Sequence, residues 1–247
     1  MPFDRKEKTG LLTGLRPLIE ALRSGRQIDK VLIQTGLKGD LYQDAMQVIK
    51  EHDLVVQYVP IEKLDRLTRS NHQGIIALIS PVDFYDLGEI LEKLESSSTV
   101  ESFLMLDGIT DVRNFGAICR SAECFGVKNI IIPDQGGARV SEDSMKTSAG
   151  ALVHLKLCKV HNLVDAIYLL QQYGYETIAC TEKAADALAT LQTPTKWCLV
   201  MGSEEKGIST QIIKRVNHLV QIPMTGRTES LNVSVAAGIA VYSLTNK

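Results

Sequence analysis

The sequence predicts an α/β fold in two parts, and three observations carry that reading. Apolar residues recur at helical spacing in some stretches and in short unbroken runs in others, and the two kinds alternate along the 247 residues. The runs Ile130-Ile-Ile132 and Leu199-Val-Met201 are apolar at every position, as strands of a parallel sheet buried on both faces are. Between residues 81 and 98 the chain turns acidic and then Ser-rich, which marks a linker. The expected arrangement is a small α/β domain over residues 1–80, a linker over 81–98, and a second α/β domain with a parallel sheet over 99–247.

In the first part, residues 14–22 place Leu15, Leu18, Ile19 and Leu22 on one helical face. Residues 30–34 read as a strand, 41–51 as a helix, 55–59 as a strand, 61–66 as a helical turn and 75–79 as a strand. Within the linker, residues 87–94 have helical apolar spacing and predict a short connecting helix between flexible ends. The second part begins with a strand at 102–106, a helix at 115–124 and a strand at 129–132. A helix at 163–173, strands at 176–180 and 198–201, a short helix at 211–216 and a strand at 219–222 follow. A closing helix rich in Ala and Val covers 233–244.

Composition is that of an ordinary globular protein, with 45% hydrophobic and 23% charged residues. No apolar run reaches the length of a membrane span. The first residues lack the apolar stretch of a secretory signal, so a cytoplasmic protein is expected. Cys119, Cys124, Cys158, Cys180 and Cys198 are scattered, form no C-x-x-C pair and have no His cluster beside them. They read as buried, reduced thiols, and no metal site is expected. The net charge of −2 lacks the broad basic footprint of a nucleic-acid binder. The charge is uneven, however. Residues 1–80 hold 12 basic and 10 acidic side chains, 81–98 hold one and five, and 99–247 hold 14 of each. Placement on the folded surface, rather than the total, decides affinity for RNA.

Three separated segments carry the chemistry. The first reads Asp107-Gly-Ile-Thr-Asp-Val-Arg-Asn-Phe-Gly-Ala-Ile-Cys-Arg-Ser-Ala122, the second Leu199-Val-Met-Gly-Ser-Glu-Glu-Lys-Gly-Ile-Ser209. The third reads Ile222-Pro-Met-Thr-Gly-Arg-Thr-Glu-Ser-Leu-Asn-Val-Ser-Val-Ala-Ala-Gly238. Glycines at strand ends suit a nucleotide-type ligand at the carboxyl edge of a sheet. The phosphate-loop pattern fails, because Ile208 and Ser209 follow Gly207, and no G-x-G-x-x-G opens a helix. A metabolic nucleotide-binding enzyme is therefore disfavoured. Gly202 would let a ligand approach the backbone, with Ile222 and Leu231 as apolar walls. Asn114 suits the cap of a helix starting near Phe115. Arg120, in an otherwise apolar stretch, suits water, a carboxylate or a phosphate. Glu204 reads as a loop acid or a cap for the next helix. Ser230 and Asn232 are good caps for the closing helix.

Together, in this order and spacing, the segments resemble the three signature motifs of the SpoU (SPOUT-class) RNA ribose 2′-O-methyltransferases. The resemblance covers nearly the whole chain, and its layout is most similar to enzymes acting on large-subunit ribosomal RNA at a guanosine. It implies a deep trefoil knot, a small ribosomal-protein-like RNA-binding domain before it, S-adenosylmethionine as methyl donor and a homodimer formed through the knot region and closing helix. It implies site roles for Asn114, Arg120, Glu204, Ser230 and Asn232. Met201, Gly202, Ile222, Met224, Leu231 and Val233 would hold the donor. Arg16, Arg23, Arg26 and His72 would touch RNA. A guanidinium keeps its proton to a pKa above about 12, so Arg120 is read as orienting phosphate and hydroxyl rather than as the base. The family has Pro where Val112 stands, which loosens the preset turn. A transfer-RNA substrate, or a knotted RNA-binding protein without catalysis, are the competing readings.

Overall fold

The computed structural model describes residues 10–24, 26, 28–52, 54–138, 140–228 and 230–246. The first nine residues of the expected first domain and Glu229 of the third motif lie outside them. The chain divides into two compact units, Met1–Val82 and Asp83–Lys247.

Unit 1 runs β1 (Leu11–Thr13), α1 (Leu15–Arg23), β2 (Ile28–Gln34), α2 (Asp40–Glu51), β3 (Val56–Val59), α3 (Ile61–Leu67) and β4 (Ile75–Ile79). The sheet order is β1-β4-β2-β3, with β2 and β3 parallel and the other pairs antiparallel. Alternation along the strands sorts the core into two faces. Val31, Ile33, Ile75 and Ala77 pack under Leu18, Leu22, Val48 and Ile49 of α1 and α2. Leu32, Val59 and Ile76 pack on Leu64 of α3. The strand β1 was not anticipated, since three residues carry too little periodicity to be read.

Unit 2 runs β5 (Phe84–Tyr85), α4 (Leu87–Ser96), β6 (Phe103–Asp107), α5 (Val112–Cys124), β7 (Asn129–Pro133), α6 (Glu142–Thr147), β8 (Lys156–Val160) and α7 (Leu163–Gln172). It continues through β9 (Glu176–Cys180), β10 (Asp186–Ala187), β11 (Trp197–Gly202), α8 (Thr210–Ile213), β12 (His218–Gln221) and α9 (Val233–Thr245). Eight strands pair in the order β10-β12-β9-β11-β6-β7-β8-β5, and every pair is parallel. Strand β8 escaped the sequence reading because its lysines break the continuous apolar run that marked its neighbours.

The stretch expected as a linker is built into unit 2. Phe84 and Tyr85 add an edge strand against Leu157 and Cys158. Leu87, Ile90, Leu91 and Leu94 of α4 are buried in the same core as Phe103, Ile131 and Val200. Burying four large apolar side chains stabilises by several kcal/mol, on the order of 1.5–3 kcal/mol each, so this helix is held in place. Asp86 caps it, accepting from Glu89 N at 2.9 Å. At the amino ends of the central strands, Glu101 accepts from Asn129 and Lys156, each at 3.0 Å.

No helix among the described residues is long and apolar enough to cross a membrane. Cys119, Cys158 and Cys198 are buried free thiols, whereas Cys180 is half-buried and Cys124 exposed, against the expectation that all five are buried. No group of three or more His, Cys, Asp or Glu among the described residues is placed to hold a metal ion.

Candidate active site

The three motif segments meet at the carboxyl ends of the central strands of unit 2. Asp107, at the end of β6, lies in register with Gly202 at the end of β11, and β9 ends beside them at Cys180. From β6 the chain builds outward through β7 and β8 on one side and returns to β11 and β9 on the other. Such a reversal is where open α/β sheets hold ligands.

Two aspartates fix the first loop. Asp107 Oδ2 accepts from Ser209 N at 2.7 Å, tying the first segment to the second. Asp111 Oδ1 accepts from Arg113 N and Asn114 N, both at 2.8 Å, and caps α5. The helix therefore begins at Val112, three residues before the expected start, and Asn114 is its third residue rather than its cap. Val112 occupies the first helical position, where Pro is favoured, and the paired Asp111 bonds set the helix entry without a ring.

Glu204 is the hub. Its Oε1 accepts from Asn232 Nδ2 at 2.5 Å, from Val233 N at 3.1 Å and from Asn114 Nδ2 at 3.3 Å. Asn232 Nδ2 also donates to Asn114 Oδ1 at 3.0 Å. The other end of the same amide, Asn232 Oδ1, accepts from Ser234 N at 3.0 Å and caps α9. The capping reading and the site reading of Asn232 are thus both realised, because an amide accepts at one end and donates at the other.

Gly202 corrects the sequence reading. A Cβ there would overlap the Gly207 carbonyl carbon and the Ile208 nitrogen. The missing side chain makes room for the chain's own returning loop, while the Gly202 backbone still lines a cavity. Ser203 and Gly207 close that loop, with Gly207 N donating to Ser203 O at 2.9 Å.

Two cavities flank the loop. One, of about 310 Å³, is lined by Met201, Gly202, Ile222, Met224, Leu231 and Val233, the six residues expected around a donor, and also by Ser230 and Glu204. That volume is at the lower bound for small-molecule sites. A second, of about 590 Å³, is lined by residues 107–111, Asn114 and Val233. Residues 203–207 belong to both. The first cavity also has Cys180, Thr181, Glu182 and Lys183 on its wall, which sequence reasoning missed. The strand 176–180 was read correctly, and extending the carboxyl-edge rule to its end would have found them. Burial, reinforced by Glu182, pushes the Cys180 thiol up to about 11, so it stays protonated at neutral pH and serves as wall.

Arg120 is the one site candidate in unit 2 that the others do not meet. It is exposed, lines neither cavity and has no hydrogen-bond or ion-pair partner among the described residues. Its neighbour Ser121 faces α9, where a Cβ on Gly238 would lie 3.4 Å from Ser121 Oγ. The small residues of 236–240 therefore serve close packing of α9 on α5.

The four RNA candidates of unit 1 also separate. Arg16 lies in the first turn of α1 and Arg23 at its end, roughly 10 Å along the axis, with Arg26 beyond; all are exposed. His72 does not suit an RNA contact. It is 8% exposed, its Nδ1 accepts from Gly74 N at 3.0 Å, and its Nε2 meets Asp65 Oδ1 at 3.0 Å. Both ring nitrogens are used inside the unit.

Residues 101–242 match the model of the SpoU rRNA Methylase family. The chain belongs to this family. Residues 11–85 match a second model, described as RNA 2′-O ribose methyltransferase substrate binding. The chain is 37% identical over 244 residues to an uncharacterized tRNA/rRNA methyltransferase of Synechocystis sp., covering 97% of itself and 63% of that protein. It is 32% identical over 237 residues to a protein of Staphylococcus haemolyticus named as a TrmH family tRNA/rRNA methyltransferase, covering 96% and 95%. An AdoMet-bound rRNA methyltransferase from Sinorhizobium meliloti superposes with a TM-score of 0.60 at 21% identity, over 95% of this chain and 86% of that one. The SpoU methyltransferase AviRb from Streptomyces viridochromogenes superposes with a TM-score of 0.57 at 21% identity, over 95% and 88%. At these identities the structural likeness establishes the fold. Asn114, Glu204 and Asn232, which converge in this chain, all lie within the matched family segment.

Proposed function

We propose that the chain transfers a methyl group from S-adenosylmethionine to a ribose 2′-hydroxyl of structured RNA. The observation that carries this reading is the convergence of Asn114, Glu204 and Asn232 on the loop shared by two cavities. The smaller cavity would receive the donor. Met201, Ile222 and Leu231 supply apolar wall for a purine, and Thr181, Glu182 and Ser230 supply polar groups for its ribose and amino-acid ends. Once bound, the sulfonium supplies a methyl group that is already activated. The remaining task is positioning, which is worth several kcal/mol of barrier when reacting atoms are held in line. Glu204 locks the loop between donor and acceptor cavities, and Asn114 presents its amide to the acceptor side. Arg120 offers a planar fork to an RNA phosphate and keeps its own proton. The 2′ oxygen gains the methyl as its proton passes to water or to an RNA phosphate.

Within this reading the substrate is ribosomal RNA, at a guanosine of the large subunit, as the two-part layout suggests. The relatives' names carry both RNA classes, so transfer RNA is the second reading. A homodimer belongs to the same proposal. Val235, Ile239 and Tyr242 of α9 are 50%, 41% and 55% exposed on one helical stripe, and a second copy is the occupant we infer. Arg120 would reach the reacting atoms only in that assembly. The deep knot is also part of this reading, and it rests on the match to the SpoU family. With RNA as substrate and free thiols, the cytoplasm is the compartment inferred.

Calorimetry with S-adenosylmethionine, followed by mapping of ribose methylation in RNA from cells lacking the protein, tests the proposal. Uptake of the donor and a missing methyl restored by wild type but not by Arg120→Ala are expected. Glu204→Gln should lower kcat by about a hundredfold through misplacement of the loop. Folded protein that takes up no donor overturns the reading.

A further inference from the structure

We infer that RNA contacts unit 1 through one end of its sheet, the end where the loops 13–16, 34–39 and 68–74 meet, with Arg16, Lys38 and Arg69 on phosphates. This rests on the RNA-methyltransferase reading above and goes beyond it by choosing a surface.

Hydrogen bonds and close approaches put the three loops together. Gln34 N donates to Gly74 O at 2.8 Å, and Gly14 N donates to Ile75 O at 3.3 Å. A Cβ on Gly74 would lie 2.9 Å from Leu37 Cδ1, and one on Gly14 would lie 3.5 Å from Gln73 Oε1. His72, buried and bonded at both ring nitrogens, pins the third loop from beneath. It holds Gln73 at φ 50 and Gly74 at φ 79.

What those loops display is exposed and uncommitted. Arg16, Lys38, Arg69, Asn71 and Gln73 are all exposed, and none has a side-chain hydrogen bond or ion pair among the described residues. Three cations on neighbouring loops suit the spacing of a polyanion's backbone, and two free amides suit sugar and base edges. Tyr58, 54% exposed, stands one residue before the end of β3, beside the same end of β2, with its hydroxyl 3.4 Å from that of Tyr42 on α2. A half-exposed ring at the edge of a basic surface is a platform on which an unpaired base stacks. The acidic neighbours are Asp40 and Glu62, which open α2 and α3, and Asp65, which His72 engages.

Arg23 and Arg26 lie at the other end of the sheet, where β2 begins and Ile28 pairs with Ile79. One duplex or loop of RNA bound across the Arg16 end leaves them in water.

The test is fluorescence anisotropy of the full chain with a labelled RNA hairpin across a salt series. The triple variant Arg16→Ala/Lys38→Ala/Arg69→Ala should lose more than tenfold in affinity. Its salt slope should shrink by about two to three, as loss of three phosphate contacts requires. Tyr58→Ala should weaken binding with the salt slope unchanged. Arg23→Ala/Arg26→Ala should bind as wild type. Because all these side chains are exposed, melting temperatures and uptake of S-adenosylmethionine should match wild type throughout. A triple variant that binds like wild type, or a loss as large in the Arg23/Arg26 pair, overturns the inference and leaves the methyltransferase reading standing. Wild-type protein that binds no RNA sinks both.

Discussion

The loops of the two units are held by different means. In unit 2 carboxylates do the work: Asp107 and Glu204 accept backbone or amide donors from distant parts of the chain, and Asp111 caps its own helix. These bonds hold the loops that line the two cavities. In unit 1 a buried imidazole and glycine turns hold the loops from below, and the charged side chains above them stay free. A small donor needs preorganised groups that do not move, whereas a polyanion needs accessible charge that can adapt. The difference matches what each unit would grip under the proposed function: the methyl donor in unit 2 and RNA on unit 1.

Four experiments bear on this contrast. The largest effect is expected from Gly202→Ala. Its Cβ has nowhere to go but into Gly207 and Ile208, so the loop must shift. A loss of about 3 kcal/mol is expected, seen in denaturant unfolding, together with loss of donor uptake. Retained uptake would mean that the loop is softer than the carboxylate network implies.

His72→Ala comes next. It leaves the buried Gly74 N–H without its acceptor, costing about 1–3 kcal/mol. RNA affinity should fall with it while S-adenosylmethionine still binds unit 2. An unchanged melting temperature would show that the imidazole pins nothing.

A smaller effect concerns acid stability. Burial pushes the Glu101 carboxyl up, but hydrogen bonds from Asn129 and Lys156 and the charges of Lys156 and Lys128 outweigh it. The net effect holds the group below its usual 4.5. A carboxylate depressed in the folded state contributes stability that is complete above the unfolded pKa and lost as pH falls through the folded one. Wild type should therefore lose stability as pH drops below 4.5, and Glu101→Gln should show a shallower acid slope in melting temperature.

The smallest is Val112→Pro. At the first helical position a proline loses no intrahelical bond, so about 0.4–1 kcal/mol of stabilisation is expected, with kcat unchanged. Destabilisation would mean that the Asp111 cap and the ring demand different geometries.

Most elements of both sheets were legible beforehand because periodicity is local. Ile75–Ile79 and Glu176–Cys180 were read to the residue. Short edge strands and the lysine-interrupted β8 were not, since their pairing depends on distant partners. The helix at 87–94 was read correctly as a helix and wrongly as a connector. Its spacing is visible in sequence, but the core that receives it is assembled from strands far along the chain.

The α/β class, the family and the short roster of polar residues are legible from residue type and spacing, which act over a few positions. The partners of each come from the folded chain. It turned Asn114 from a cap into a partner of Glu204, gave Gly202 to the returning loop, drew His72 inward and set Arg120 apart. The Asn114 outcome depends on donors and acceptors that meet across 28 to 118 positions of sequence, and those of Gly202 and His72 on how a loop folds back on itself. No local pattern encodes such a meeting, because hydrogen bonds and steric overlap act in space rather than along the chain.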